Sequence, residues 1–309
     1  MARFGIGNRR GKMRGESVGD RIMDIITYVV YAVYAFVCIY PFYYILINSI
    51  SNNKLSKSGA VIWYPKQMHL KNYFDALKIP SIGNAAFISV SRTIIVTILV
   101  VLISGFLGYM FTRDTMWKRK IWFRFVIITM YFNAGIIPWY LTMMKLHLTN
   151  NFLGYVFPAL ISPFYILLVK TYIESIPKEL EEAAECDGAS VMRVFFSIIL
   201  AVSKPILSTI AIFAAVTQWN SFQDTLLLMT NERLFTLQFI LYRYLQSSQS
   251  LMQIINATSG SAGLMLANAQ TQTSIRMTVT IIVALPILIV YPFFQKFFVK
   301  GIMIGAVKG

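Results

Sequence analysis

Acidic residues are scarce: 13 Asp and Glu stand against 28 Lys and Arg, and a cluster of the acids (Glu174, Glu179, Glu181, Glu182, Glu185 and Asp187) falls in one loop. Histidine and cysteine are scarcer still, at two each. His69 and His147 stand alone, Cys38 sits in a hydrophobic run and Cys186 in the charged loop. No disulfide framework or metal cluster is indicated. A membrane-embedded enzyme would need His, Asp, Glu or Ser grouped for acid, base or nucleophilic work, whereas the two histidines are distant and the main cluster of acids lies in one loop. The chain also lacks a G-x-x-x-x-G-K-[ST] phosphate loop, so it is not itself an ATPase. The formal charge of +15 does not indicate a nucleic-acid partner, because the basic residues flank hydrophobic runs without interleaved aromatics.

Hydrocarbon is abundant. Hydrophobic residues make up 57% of the 309 positions, charged ones 13%, and the mean hydropathy is +0.62. They gather in uncharged runs, where a soluble core would alternate them with polar residues. A helix needs about 20 apolar residues to cross a bilayer. Six segments qualify: 25–50, 87–112, 125–144, 152–169, one centred on 205–219, and 277–298. The expected fold is therefore an all-α integral membrane protein of six transmembrane helices. A cytoplasmic tail (1–24) precedes the membrane domain (25–298), and a second cytoplasmic tail (299–309) follows it. Arg9, Arg10, Lys12 and Arg14 precede the first run as in a signal peptide, but that run is too long and lacks a cleavage site, which predicts a retained anchor.

The positive-inside rule sets the orientation. The tail to Arg21, the loop with Arg113, Lys118, Arg119, Lys120 and Arg124, the loop from Lys170 to Lys204 and the C-terminal tail carry most of the Lys and Arg, so both termini are expected inside. Prolines 138, 158, 163 and 205, with Asn133, Gln218 and Asn220, lie in or at the ends of spans. Broken helices in lipid need protein or water to satisfy the freed backbone, as along a transport pathway.

The inner loop 170–200 holds the most informative stretch, residues 175–190. Pro177 suits a first turn, Glu179, Glu181 and Glu182 favour the positive end of a helix dipole, and Lys178 can pair with Glu182. Asp187 and Gly188 then end the helix, and a second one runs from Ser190 to Leu200. Residues alone leave two readings open: a docking knob for a partner, or an amphipathic helix lying at the interface.

Glu182-Ala183-Ala184, followed by Asp187-Gly188-Ala189, resembles the signature loop of binding-protein-dependent ABC importer permeases. Downstream, Ile198-Ile199-Leu200 matches the family, but Ala201 replaces its proline and Pro205 takes a second proline position. Trp63-Tyr64-Pro65, Trp219-Asn220 and the C-terminal segment 298–309 extend the resemblance over almost the whole chain. They are similar to the maltose-type carbohydrate permeases, in the branch that imports complex oligosaccharides.

The resemblance implies a type I ABC importer transmembrane domain in a bacterial cytoplasmic membrane. The loop helix would insert into a cytoplasmic ATPase dimer, with Glu182 pairing a basic residue, Ala183 and Ala184 allowing close packing, and Asp187, Gly188 and Ala189 shaping the end. ATP and Mg would be bound by that ATPase and no cofactor by this chain. A second permease would complete the pathway as a heterodimer, and an extracellular sugar-binding lipoprotein would deliver substrate. The external loop 220–276 is long enough to be functional. Its part from Ser247 to Gln272 would reach into the binding protein or form a packed cap. Tyr131, Asn133, Trp139, Gln218, Trp219 and Asn220 are the candidate sugar contacts. Arg92, in the second span, is expected to snorkel or to meet an acidic sugar. The rival reading is an ion-gradient-driven secondary transporter, which would carry intramembrane carboxylates and an internal repeat, and the spans hold no Asp or Glu.

Overall fold

The computed structural model describes residues 18–246 and 276–290. The tail before residue 18, the segment Ser247 to Gln272 and the C-terminal segment 298–309 lie outside the described residues.

Two helices are long and apolar enough to cross a membrane unaided: α1 (Val18–Ser49) and, after the short α2 (Asn53–Lys57) and α3 (Lys71–Leu77), α4 (Pro80–Met110). The other membrane segments are interrupted, and in each case local chemistry explains where. The run 125–144 is not one helix. It splits into α5 (Arg119–Thr129) and α6 (Ile136–Lys145), because Gly135 adopts φ 84° and the Asn133 side chain accepts a 2.8 Å bond from the Gly135 N–H. The fourth segment is α7 (Leu153–Ala159) and α8 (Pro163–Ile173), bent by 48° where Pro163 forbids a continuous ladder. Beyond α9 (Glu179–Cys186), the fifth is α10 (Val191–Val202) and α11 (Lys204–Asn220), bent by 81° ahead of Pro205. Lys204 is exposed at that bend, which relieves the conflict of a lysine inside an apolar run. A short α12 (Gln223–Leu228), a helix α13 over 237–246 and α14 (Arg276–Val290) complete the described chain.

Helix α4 is the axis, packed chiefly on α11 and α8. One core gathers Ile82, Tyr155, Leu228, Phe239 and Val283 at the end where α4 begins. The other gathers Val100, Tyr109, Val169, Phe195 and Ile210 where α4 ends. Small residues bring the helices together: a Cβ built on Gly108 would lie 2.6 Å from Val169 Cγ1 and 3.1 Å from the Lys170 backbone nitrogen. Helix α1 is different. Its large apolar residues from Ile22 to Ile39 are all exposed. It is held near its C-terminal end, where Tyr43 Oη donates to the Trp63 carbonyl at 2.6 Å and Trp63 packs on Tyr40.

Gly108→Val should wedge α4 from α8 and destabilise the detergent-solubilised protein by about 2 kcal/mol, as overpacking of tight cores does. The fall in melting temperature measures it, and Gly83→Ala, where an added Cβ meets nothing within 4 Å, is the control.

Candidate functional site

The inner loop folds as its residues dictate. Helix α9 starts two residues after Pro177, with Glu179, Glu181 and Glu182 in its first turn. It closes with Gly188 at φ 79°: the Gly188 N–H donates to the Glu185 carbonyl and the Ala189 N–H to the Ala184 carbonyl, both at 2.9 Å. That pair of bonds is a Schellman motif, accompanied by contact of Ala184 and Ala189 with the adjacent core. Ser190 then caps α10 by accepting from the Arg193 N–H. Within α10 lies a π turn, Phe195–Ile199, whose Phe195 ring stacks on Tyr109 of α4.

The two faces of α9 differ. Glu182, Ala183 and Cys186 point to solvent, whereas Glu181 and Ala184 turn toward the body. Lys178 does not pair with Glu182. It reaches Asp114 at 3.8 Å, leaving the Glu182 carboxylate on the outer face. Sequence reasoning missed Arg113, three residues past the end of α4. Its Nη1 donates to Glu181 Oε2 at 2.8 Å, its Nη2 to Glu185 Oε1, and its guanidinium lies over the Tyr109 ring. Burial would lower the pKa of Arg113, and its hydrogen bonds to Glu181 and Glu185 more than reverse this, leaving it raised.

Toward the other end of α4, Arg92 does not snorkel. It is 1% exposed, donating to Asp224 Oδ2 at 2.5 Å and to Gln218 Oε1 at 2.8 Å, with its guanidinium 4.5 Å above the Tyr155 ring centre. Tyr155 Oη donates on to the Leu234 carbonyl at 2.7 Å, so α4, α7, α11 and α12 meet in one polar knot. Asp224 is 132 positions from Arg92 and only the fold makes it a partner.

The candidate sugar contacts separate. Tyr131 and Asn133 lie exposed in the break between α5 and α6. Trp139 packs against the first core. Gln218 is buried with its carbonyl committed to Arg92, and the Trp219 indole donates to the Val283 carbonyl at 3.0 Å. Asn220 caps its own helix by donating to the Val216 carbonyl, at the edge of a cavity of about 330 Å³. Gln238 and Thr280 also line that cavity, and Gln238 Oε1 is buried there without a hydrogen-bond partner. Neither residue stood out in the sequence, since each reaches the cavity from a separate helix.

No protein-family model matches the chain. It is 32% identical over 250 residues to the probable ABC transporter permease protein YurM of Bacillus subtilis (strain 168), covering 79% of this chain and 76% of that protein. The chain belongs to the ABC transporter permease family. The permease is also 29% identical over 294 residues to the polygalacturonan/rhamnogalacturonan transport system permease protein YtcP of Bacillus subtilis (strain 168), covering 94% and 99% of the two chains. Its fold matches a chain of a bacterial ABC transporter involved in the import of the acidic polysaccharide alginate. The TM-score is 0.80 at 27% identity, over 91% of the permease and 98% of that chain.

Arg92→Met should leave the Asp224 carboxylate unpaired and destabilise the permease by on the order of 3 kcal/mol. Arg92→Met with Asp224→Leu should recover much of that loss. Melting of the solubilised variants checks both, and additive losses would mean that the pair is not coupled.

Proposed function

We propose that this permease is one membrane subunit of an ATP-driven importer for oligosaccharides, with α9 as the element that docks on a cytoplasmic ATPase. The observation that carries the reading is the outer face of α9. It offers a free carboxylate at Glu182 beside the small Ala183, on a helix ended by Gly188 and packed inward through Ala184 and Ala189. A close-packing, negatively charged knob suits a groove with a basic residue. Asp187 and Gly188 give the knob its blunt end. ATP and Mg belong to the partner ATPase.

In this reading α1, α4, α5 with α6, α7 with α8, α10 with α11, and α14 are the six spans. The basic loops support a reading in which both termini lie in the cytoplasm of a bacterial cell. A second, different permease covers the apolar flank of α1, and a sugar-binding lipoprotein delivers substrate outside. The break with Tyr131 and Asn133 exposes backbone at membrane depth, which is stable only beside protein or a water-filled path. It is assigned to the pathway together with Trp139 and Asn220, while Gln218 and Trp219 support it from behind. Because one relative is named for polygalacturonan/rhamnogalacturonan transport and the solved neighbour for import of the acidic polysaccharide alginate, uronate-containing oligosaccharides are the substrate class to screen first.

Affinity purification from native membranes should recover an ATPase, a second permease and a binding lipoprotein. Recovery of the chain alone, with uptake that follows an ion gradient, would favour a secondary transporter. Glu182→Lys should sharply reduce recovery of the ATPase. Gly188→Val strains the left-handed φ by about 1–2 kcal/mol and should abolish uptake, whereas Gly188→Asn, which tolerates that conformation, should retain much of it. Unchanged co-purification with Glu182→Lys would remove the carboxylate from the interface.

A further inference from the structure

None of the α9 residues is buried. Within α9 Ala184 packs on the core, with Ile176 before the helix and Ala189 after it, and the helix is jointed at both ends. On one side it follows the non-helical turn after Ser175, and on the other Gly188 at φ 79°. Apolar burial therefore does little to fix its angle. The strongest bonds across the gap come from one side chain. Arg113 spreads its two terminal nitrogens over Glu181 and Glu185, which stand one turn apart on the same face of α9. Arg113 and Glu181 are shielded, with side chains 12% and 16% exposed, so this fork is less screened than a surface pair. Arg113 itself is fixed: its backbone N–H donates to the Met110 carbonyl at 3.2 Å, continuing the last turn of α4, and its guanidinium rests on Tyr109. Tyr109 is fully buried against Phe195.

We infer that Arg113 is a positioning residue that locks α9 to the end of α4, so that a push on α9 moves the 31-residue axis of the membrane domain as one body. The inference rests on the reading of α9 as the ATPase-docking helix and adds how its motion is passed on. Lysine cannot replace the arginine, since a single ammonium does not reach two carboxylates with the planar fork.

The test is a pair of spin labels at Leu180→Cys on α9 and Leu102→Cys on α4, both exposed positions, in a chain carrying Cys38→Ala and Cys186→Ala. The distance is read in the complete complex, nucleotide-free and trapped with ATP and vanadate. With Arg113 present, one narrow distance should persist in both states. Arg113→Gln should lose that single distance and shift between states, and ATP hydrolysed per substrate moved should rise about tenfold, within the span of mutational effects on coupling. Arg113→Glu with Glu181→Arg and Glu185→Arg should restore the narrow distance, which a merely misfolded variant would not do. A distance in Arg113→Gln as narrow and invariant as in the parent, or a charge swap without rescue, overturns the clamp. The double variant Glu182→Lys with Gly188→Val separates the two levels: if it keeps the ATPase, the docking role of α9 itself fails. If it loses the ATPase while Arg113→Gln keeps its narrow distance, only the clamp fails.

Discussion

Hydrocarbon donates and accepts no hydrogen bonds, and that constraint governs almost every feature of this chain. It makes the long uncharged runs helical, because only the i to i−4 ladder satisfies their backbone within one segment. It also makes each departure from the ladder informative. Where α5 stops at Thr129 and α6 begins at Ile136, Asn133 satisfies one freed N–H through a side-chain turn. The remaining groups need protein or water beside them. Where Arg92 enters the bundle, the same constraint demands full pairing, and Asp224, Gln218 and the face of Tyr155 supply it.

The two ends of α4 solve different problems with similar chemistry. Near its start, a guanidinium is buried in a knot joining four helices, and removing its partner would strand a charge in an apolar core. At its end, a second guanidinium faces water on one side and bridges to a helix that packs poorly by itself. The first arrangement holds spans to one another. The second holds a polar helix to the end of α4 through a fork whose Arg113 and Glu181 side chains are 12% and 16% exposed. An outer knot and an inner clamp, joined by one 31-residue helix, suit a molecule in which force arrives at one end and is carried toward the other.

Much of this was legible in the chain. Hydropathy marked the apolar segments, and proline and glycine marked where α7, α8, α9 and α10 end. The left-handed Gly188 follows from the Asp-Gly step after a helix of good formers. What was not legible shares one cause. Arg92 looked like a snorkelling residue because its partners lie far along the chain, and a periodic pattern carries no information about side chains that meet only after packing. Arg113 looked like one of several basic residues setting orientation, because the positive-inside rule counts charges without asking what they touch. The break at 130–135 escaped because hydropathy averages over it: Tyr131 and Phe132 are as apolar as the helix on either side, and only Gly135 and Asn133 betray it.

The same reasoning bears on α1. A helix whose large side chains from Ile22 to Ile39 are exposed on all sides has no polar stripe to turn toward water. Lipid alone would satisfy its surface but would not fix its tilt. The hydrogen bonds from Tyr40 and Tyr43 to the 62–63 segment, and from Asn48 to Val61, anchor it near its C-terminal end. The direction of the rest of the helix is then set by whatever packs against it. An aromatic-rich helix that buries little against the described residues leaves a flank for lipid and, in the proposed complex, for the second permease.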